Sequence, residues 1–432
     1  MRYKRPRGTQ DVLPDQVPEW RLAEETFRRI ADSFGYAEIR TPIFEDTELF
    51  VRSVGAETDI VSKEMYTFHD RGGRSLTLRP EGTAPVVRAF LENNLQGTDR
   101  GKVVKLFYIA PVFRYDRPQA GRYRQHHQAG IEALGSSSPA LDAEVMHLAW
   151  VFYNALGLEK PALLLNSVGC PVCRPAYIEK LRGYLAGRVG ELCADCQRRY
   201  EANALRILDC KNPTCRTATE EAPRMIDALC PECAAHFAEV REALETIGIP
   251  YRLEPRIVRG LDYYTKTAFE FVASGLGAQD ALGGGGRYDG LVEACGGPPT
   301  PAVGLGIGLE RVLLARQALG LSVNAPPRRG VFVVGLGQAA ARWAVGFCAR
   351  LRVAGVRADL DYRSRSLRAQ LRYADATGFR YAAIVGDEEL SRGEVTIRDL
   401  QAASQETVQV DEALKRLSAE AGEELCRSGR RE

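Results

Sequence analysis

The spacing of apolar residues changes from helical to alternating within the first 80 residues of the chain. Trp20, Phe27 and Phe34 recur at helical intervals and Gly35 ends the run, so a helix is predicted to precede it. The segments that follow are rich in β-forming residues and are separated by charged turns, which is typical of strands. Three strands are predicted here, at residues 41–50, 64–70 and 74–80.

A long apolar hairpin dominates the next stretch. Residues 102–115 form an apolar run that predicts a buried strand, and residues 123–134 have the pattern of its antiparallel partner. Helices are predicted on either side of it, over residues 83–95 and from Pro139 onward. The β-rich pattern then returns, with strands predicted at residues 259–273, 283–286 and 302–308 before a helix around Arg311.

The last third of the chain alternates between strands and helices. Strands are predicted at residues 331–337, 356–362, 381–387, 394–400 and 407–410, and helices at residues 338–353, 366–376 and from Asp411. This alternation predicts a small doubly wound α/β domain of about 100 residues. Pro326 and Pro327 cannot continue a helix, so residues 320–330 are interpreted as a linker.

Cysteine pairs set one part of the chain apart. We expect a first body over residues 1–325, interrupted by a module at residues 167–252, and a second domain over residues 326–432. Eight of the eleven cysteines fall in the module, as the pairs Cys170 and Cys173, Cys193 and Cys196, Cys210 and Cys215, and Cys230 and Cys233. Eight such ligands fit two tetrahedral zinc sites of four cysteines each. The alternative, that the pairs bind no metal, stays open.

The composition excludes several classes of protein. With 45% hydrophobic and 26% charged residues, the 432-residue chain does not resemble a disordered protein. Its 58 basic and 56 acidic residues give a net charge of +2, which excludes a wholly basic nucleic-acid binder but not a local basic surface. No run approaches the ~20 apolar residues of a membrane span. No apolar segment follows the basic N-terminus, so we expect no secretory signal, no membrane partner and a cytoplasmic location.

Charged side chains are concentrated around the predicted hairpin and at one strand-to-helix turn. The candidates are Glu81 and Thr83 at the turn, and Arg114, Arg117, Arg122 and Arg124 around the hairpin. Arginine offers a rigid fork of N–H donors that suits phosphate, so the hairpin indicates a phosphate-bearing substrate, with a solvated hairpin as the alternative. Gln128 and Glu132 share the parity of the returning strand and should point to one face.

Several long motifs occur together in one order. Residues 113–135 (FRYDRPQAGRYRQHHQAGIEALG) and 302–315 (AVGLGIGLERVLLA) resemble the second and third signature motifs of class II aminoacyl-tRNA synthetases. RGTQDVLP, GYAEIRTPIFEDTELFVRSVG, TLRPEGT and RGLDYYTKTAFEF narrow the resemblance to the histidyl-tRNA synthetase family of bacterial type. RGLDYYT is the most specific of these motifs, because it marks the histidine-specific subgroup.

The resemblance implies both a fold and an activity. The fold is an α+β catalytic domain with an antiparallel sheet, a small inserted helical and cysteine-rich module, and a C-terminal α/β anticodon-binding domain. The activity is formation of histidyl-adenylate and pyrophosphate from L-histidine and ATP, which binds with Mg²⁺. The histidyl group then passes to the 3′-terminal adenosine of the histidine tRNA. The resemblance also implies a homodimer, formed through residues 35–46.

Particular residues match positions with known roles in this family. The resemblance implies that Glu81 and Thr83 hold the α-amino group, that Glu132, Tyr263 and Tyr264 recognise the imidazole, and that Gln128 lines the same pocket. It implies ATP contacts for Arg114, Arg122 and Arg311. Arg114 and Arg259 border both the histidine and the α-phosphate and are the catalytic candidates. Arg117 and Gln119 are implied to meet the acceptor end of the tRNA, and Gly304, Gly306 and Gly308 to pack near the adenine.

Two other classes of protein compete with this interpretation. One is the regulatory subunit of ATP phosphoribosyltransferase, a catalytically silent paralogue that lacks the C-terminal domain and loses active-site residues. Here that domain is predicted, and Arg114, Arg259 and Arg311 are all present. The other is a zinc-ribbon adaptor, which would explain the cysteines and nothing else. The enzyme is therefore favoured.

Overall fold

The chain forms two compact units, Met1–Val323 and Asn324–Glu432. The structure is a computed structural model that describes residues 3–55, 58–98, 101–159, 161–273, 281–323 and 327–428. Across these residues, no helix has the length and apolar character needed to cross a membrane.

Ten helices and eleven strands lie in the described part of the first unit. The helices are α1 (Val17–Ser33), α2 (Thr47–Val54), α3 (Thr83–Glu92), α4 (Pro139–Ala155), α5 (Arg174–Leu185), α6 (Ala194–Ala202), α7 (Pro213–Ala218), α8 (Pro231–Ile247), α9 (Leu291–Ala294) and α10 (Leu309–Ala318). The strands are β1 (Ala37–Glu38), β2 (Phe44–Asp46), β3 (Tyr66–His69), β4 (Ser75–Leu78), β5 (Val104–Phe113), β6 (Gln125–Leu134), β7 (Ala162–Ser167), β8 (Tyr251–Leu253), β9 (Thr265–Val272), β10 (Ala281–Arg287) and β11 (Ala302–Gly308).

Eight of these strands form one sheet in the order β1-β5-β6-β11-β10-β9-β7-β8. The pairs at its two edges, β1 with β5 and β7 with β8, are parallel, and the other neighbouring pairs are antiparallel. β5 and β6 pair along their whole length, so the predicted hairpin is confirmed. The implied antiparallel catalytic sheet is therefore present.

The two faces of this sheet have opposite character. Ala129, Ile131 and Ala133 of β6 are fully buried in the larger apolar core, which also contains residues of α1, α4 and α8. Because side chains alternate along a strand, Gln128 and Glu132 point to the other face. This second face carries the candidate active site.

A three-stranded sheet, in the order β2-β4-β3, lies beside the predicted active-site turn. The strand predicted over residues 41–50 is wrong beyond Asp46, because α2 begins at Thr47. The Asp46 carboxylate accepts a hydrogen bond from the backbone N–H of Glu48 at 2.9 Å and so caps this helix. Such a cap satisfies an N–H that the first turn of a helix leaves unpaired.

The cysteine-rich stretch consists of α5, α6 and α7 joined by short 3₁₀ turns at Ala186–Glu191, Ala204–Ile207 and Met225–Asp227. A separate small core fills it, in which Tyr177 and Leu181 are buried beside the cysteines. α8 begins in this small core, where its Cys233 is buried, and then leaves it, since Phe237 and Val240 are buried in the larger core against α4. The name cysteine module is used below for residues 168–233.

The second unit is an α/β sandwich. Its strands are β12 (Val331–Gly335), β13 (Ala358–Leu360), β14 (Tyr381–Val385), β15 (Glu394–Asp399) and β16 (Ser404–Gln409), and its helices are α11 (Gln338–Val353), α12 (Leu367–Ala376), α13 (Asp387–Arg392) and α14 (Val410–Ser428). The sheet order is β13-β12-β14-β15-β16, with β15 and β16 antiparallel to their neighbours. Successive residues of β12 are buried on alternate faces, Val333 against α11 and Phe332 against α12, as the doubly wound prediction requires.

Candidate active site

A buried carboxylate lies at the centre of the polar face of the sheet. Glu132 is completely buried; the Thr83 hydroxyl donates to its Oε1 at 2.7 Å and the Tyr288 hydroxyl donates to its Oε2. Burial raises the pKa of Glu132 to about 8, against the opposing effect of these two hydrogen bonds. The Glu132 carboxyl therefore holds its proton more strongly than an exposed glutamate does.

A second buried carboxylate marks the N-terminal end of α3. Glu81 accepts hydrogen bonds from the backbone N–H groups of Thr83 and Ala84, at 2.7 and 2.8 Å. Burial nevertheless raises its pKa. Because each carboxylate oxygen has two lone pairs, both oxygens of Glu81 retain an acceptor site. The Thr83 hydroxyl likewise keeps its lone pairs while it donates to Glu132.

Three tyrosine rings line one side of these carboxylates. The ring centroids of Tyr263 and Tyr264 are 4.8 Å apart, and those of Tyr263 and Tyr288 are 5.6 Å apart. Such an aromatic wall excludes water while keeping hydroxyl groups available.

Arg259 joins this wall to the charged part of the site. Its guanidinium carbon lies 5.9 Å from the centre of the Tyr264 ring, and its Nη1 donates to Glu270 at 2.7 Å. Its Nε is buried without a hydrogen-bond partner in the part of the chain that the structure describes. A buried donor without a partner is uncommon in folded proteins and is typical of a ligand contact. The Gln128 Oε1 atom is likewise buried without a hydrogen-bond partner among the described residues.

Backbone carbonyls orient two further arginines. The Arg114 Nε donates to Pro80 O at 2.7 Å. Arg311 donates to Gly121 O at 3.0 Å and to Ala281 O at 2.9 Å. A neutral acceptor fixes a guanidinium without cancelling its charge.

Arg122 completes a cluster of cationic side chains. It pairs with Asp116. Burial lowers the pKa of Arg311, and the positive charges of Arg122, Arg114 and Arg259 lower it further against the opposing charge of Glu270, so the other three arginines repel Arg311. An anion with several oxygens relieves such repulsion, as ATP phosphates would.

Glycines in β11 allow the pocket side chains to lie close to the sheet. A Cβ atom at Gly304 would come within 1.9 Å of Glu132 Oε2, and one at Gly306 within 1.8 Å of Gln128 Nε2. Both are impossible contacts for a side chain. The GxGxG pattern therefore lies within β11, and Gly304 and Gly306 pack against the pocket carboxylate and amide. The implied packing of these glycines near the adenine stays a prediction.

The candidate tRNA-contacting residues lie at the end of the β5–β6 hairpin. Arg117 and Gln119 are exposed, and Gln119 exchanges backbone hydrogen bonds with Arg122 at 2.9 and 3.1 Å. The structure thus separates these two residues from the buried carboxylates, while it brings together Glu81, Thr83, Glu132, Tyr263 and Tyr264.

The cysteines form two groups of four. Cys170 and Cys173 meet Cys230 and Cys233, whereas Cys193 and Cys196 meet Cys210 and Cys215; within each group the sulfurs all lie within 4.8 Å of one another. The Cys170 Sγ lies 3.8 Å from the Sγ atoms of both Cys173 and Cys230. Four thiolates around zinc at about 2.3 Å have sulfurs about 3.8 Å apart, whereas a disulfide needs about 2.05 Å. The ligand chemistry and spacing fit tetrahedral zinc.

Comparison with known proteins identifies the fold and its relatives. The sequence profile described as histidyl-tRNA synthetase matches residues 8–312, and the anticodon-binding-domain profile matches residues 330–420. The chain belongs to the histidyl-tRNA synthetase family.

Relatives of the histidyl-tRNA synthetase family match almost the entire chain. Histidine–tRNA ligase of Moorella thermoacetica is 58% identical over 410 residues, which cover 94% of this chain and 96% of the relative. That of Pelotomaculum thermopropionicum is 54% identical over 413 residues, with 96% and 97% coverage. The crystal structure of apo histidyl-tRNA synthetase from S. aureus superposes with a TM-score of 0.80 at 37% identity, covering 96% of this chain and all of the other.

Three residues of this candidate site were not among those predicted from the sequence. Tyr288 and Glu270 contact Glu132 and Arg259 only because β10 and β9 bring them there. His126 lies on the same face as Gln128; burial and then the charges of Arg114 and Arg311 lower its pKa to about 3. Its neighbour His127, on the opposite face of β6, contacts Glu310 at 3.0 Å. The parity of β6 was the available signal for His126.

Proposed function

We propose that this protein is a histidine–tRNA ligase that activates L-histidine with ATP and transfers it to the histidine tRNA. The observation that carries the proposal is the junction of two unlike regions. A buried carboxylate and tyrosine pocket lies beside a cluster of four arginines, and Arg259 borders both. Such a site suits a small zwitterion with a polar ring next to a triphosphate.

The pocket would recognise histidine at its two polar ends. Glu132 accepts one imidazole N–H, and Tyr264 engages the other ring nitrogen. Glu81 and the Thr83 oxygen accept from the α-ammonium group, which needs charge-assisted partners once it is removed from water. Gln128 and Tyr263 line the space between. The remaining lone pairs on Glu81 and Thr83 support this assignment.

The arginines would bind ATP, which enters as its Mg²⁺ complex, and stabilise the first transition state. An oxygen of the histidine carboxylate attacks the α-phosphorus; the new O–P bond forms as the bond to pyrophosphate breaks. Negative charge grows on the α-phosphate oxygens, where Arg114 and Arg259 act as catalytic residues. Arg122 and Arg311 hold the rest of the triphosphate. A ribose hydroxyl of the terminal adenosine then attacks the acyl carbon, and AMP leaves.

The hairpin end and one exposed apolar surface would bind macromolecules. Arg117 and Gln119 contact the acceptor end of the tRNA, and the second unit binds the anticodon region. A homodimer forms through residues 35–46, where Ile43 and Phe44 are exposed by 46% and 51%. Exposed apolar side chains of this size are typical of interfaces.

Two further assignments complete the proposal. The two cysteine clusters bind structural Zn²⁺. The protein resides in the cytoplasm, where clustered thiols stay reduced and available to metal.

Histidine-dependent exchange of labelled pyrophosphate into ATP tests the proposal. We expect exchange with histidine and none with other amino acids. Absence of exchange in zinc-loaded, folded protein would favour the regulatory paralogue instead.

A further inference from the structure

The segment over residues 257–266 carries the key side chains of the active site but lies outside regular secondary structure for most of its length. It contributes Arg259, Tyr263 and Tyr264 and leads into β9. Arg259 has φ +26° and Lys266 has φ +52°, and residues other than glycine rarely adopt positive φ values of this kind. Backbone strain of this kind persists only where neighbouring structure holds it.

The neighbouring structure is the cysteine module. The Arg206 Nη1 donates to the carbonyl oxygen of Arg259 at 2.8 Å, and the Arg174 Nη2 donates to the carbonyl oxygen of Tyr264 at 2.6 Å. Lys266 exchanges backbone hydrogen bonds at 2.8 Å with Val168 and Gly169. Both backbone sites with positive φ are therefore contacted by the module.

Apolar packing joins the segment to the same module. Val258 is 9% exposed and lies in the small core that the cysteines share. The approach of Arg206 is close as well, since a Cβ atom at Gly260 would lie 3.1 Å from its Nη1. Asn203 adds a side-chain hydrogen bond to Asp262 at 3.0 Å.

The two arginine donors are placed by the cysteine clusters. Arg174 follows Cys173 directly in the chain. Arg206 lies between Cys196 and Cys210 of the other cluster, and its Nη2 is 3.5 Å from Asp209, the neighbour of Cys210. The helices that carry Cys196 and Cys215 of this second cluster are short; α6 has nine residues and α7 has six. Helices of that length are marginal in isolation, so their geometry depends on the small core, in which the cysteines are buried members.

We propose that two zinc ions, one in each cysteine cluster, fix Arg206 and Arg174 against the carbonyls of Arg259 and Tyr264, and so position the active-site segment for histidine activation. The proposal rests on the proposed function for its readout. Arg206 and Arg174 are positioning residues, because they act on the substrates through Arg259 and Tyr264. Two hydrogen bonds therefore connect the zinc sites to the active-site segment, one from Arg206 and one from Arg174. A single substitution removes each of them.

The first measurement is the metal content of the full-length protein, purified without chelator. Elemental analysis should find about two zinc ions per chain in the wild type and in the arginine variants alike. A thiol-modifying reagent should release them to a chromophoric chelator. Wild-type protein that exchanges pyrophosphate but contains no zinc would overturn the proposal and leave the proposed function intact.

The second measurement separates the two positioning residues by their kinetics. Arg206→Ala should lower kcat for histidine-dependent exchange about ten-fold with little change in the KM for histidine, since Arg259 acts on the α-phosphate. Arg174→Ala should instead raise the KM for histidine about ten-fold, because Tyr264 binds the ring. A general loss of folded protein would not produce this split.

Two control variants complete the design. Arg206→Lys keeps a charged donor and should recover most of the lost kcat. Among the described residues, the Arg182 guanidinium contacts partners of the module, Tyr200 O at 3.3 Å, Glu201 O at 2.8 Å and the Glu179 carboxylate at 3.7 Å. Arg182→Ala should therefore exchange at the wild-type rate.

Each outcome decides the question. Zinc in the wild type, the kcat and KM split, and recovery by lysine together support the proposal. Zinc-loaded Arg206→Ala and Arg174→Ala with wild-type kinetics would overturn it alone. Zinc-loaded wild type without exchange would overturn both this proposal and the proposed function.

Discussion

The two ends of the candidate active site differ in the charge of their side chains and in the groups that hold them. At the histidine end, Glu132 and Glu81 are buried and are satisfied by hydroxyl and backbone donors. At the phosphate end, Arg114 and Arg311 are held by backbone carbonyls and repel each other. The first end selects, because a ligand that cannot pair with the remaining acceptor sites of these buried carboxylates leaves those sites unpaired. The second end holds several positive charges close together, and a bound anion offsets their repulsion.

Removing the central carboxylate should break the selective end most severely. Glu132→Ala is expected to lower kcat/KM for histidine by ~10⁴-fold, since a site built to hydrogen-bond a substrate discriminates on that scale. The KM for ATP should change little, because the arginines are untouched. Steady-state exchange at varied histidine and varied ATP measures both, and near-normal histidine affinity would exclude Glu132 from recognition.

Removing one cation should break the charged end by a smaller factor. Arg259→His is expected to slow adenylate formation ~10²–10³-fold, the usual effect of losing one preorganised donor. Transfer from preformed histidyl-adenylate should be affected much less, since no pyrophosphate leaves in that step. Single-turnover assays of the two half-reactions make the comparison. A variant that forms adenylate at the wild-type rate would remove Arg259 from the mechanism.

A substitution in β11 should displace Glu132 without altering any polar group. Gly304→Ala would place a Cβ atom where Glu132 Oε2 lies. We expect the KM for histidine to rise about 10- to 100-fold, because a shift of order 1 Å suffices for such a loss. Gly346→Ala, at a helical glycine of the second unit with nothing within 4 Å of a new Cβ, is the matched control. Equal kinetics in both variants would contradict the packing described for β11.

The raised pKa of Glu132 should appear in the pH dependence of stability. The folded protein keeps this proton up to about pH 8, whereas the unfolded chain loses it near its ordinary pKa of 4.5. This contribution to stability therefore falls as pH rises between those values, by at most about 1.4 kcal/mol per pH unit. The Tm of Glu132→Gln, relative to wild type, should rise steadily from pH 5 to pH 8. A constant difference would indicate that Glu132 is ionised throughout.

The smallest effect is expected at the hairpin end, which belongs to neither region. Gln119→Ala should slow transfer to tRNA several-fold, the effect of about one hydrogen bond. It should leave adenylate formation unchanged, because the Gln119 side chain is exposed and its hydrogen bonds to Arg122 are made by the backbone, which the substitution keeps. Equal losses in both half-reactions would argue against a tRNA contact.

Local patterns predict the parts of this site that lie on one strand or one turn. The alternation in β6 places Gln128 and Glu132 on one face, and the turn before α3 brings Glu81 next to Thr83. The Tyr288 contact could not be predicted in this way, because it depends on which strands pair across the sheet. The same holds for the cysteines: their spacing indicates two sites of four, but not that Cys170 shares a site with Cys230, sixty residues away. α2 was missed because a single capping residue, Asp46, outweighs an apparently strand-like pattern.

Two of the residues proposed to bind histidine lie on one strand, which limits how the gene can change. Gln128 and Glu132 are four residues apart, about 13 Å along an extended strand. A codon inserted between them would turn Glu132 toward Ile131's side of the sheet and leave a carboxylate among apolar side chains. Loops at the surface of such a protein tolerate insertions, whereas this ten-residue strand does not. Lineages of this enzyme should therefore differ freely in loop length while the length of this strand stays constant.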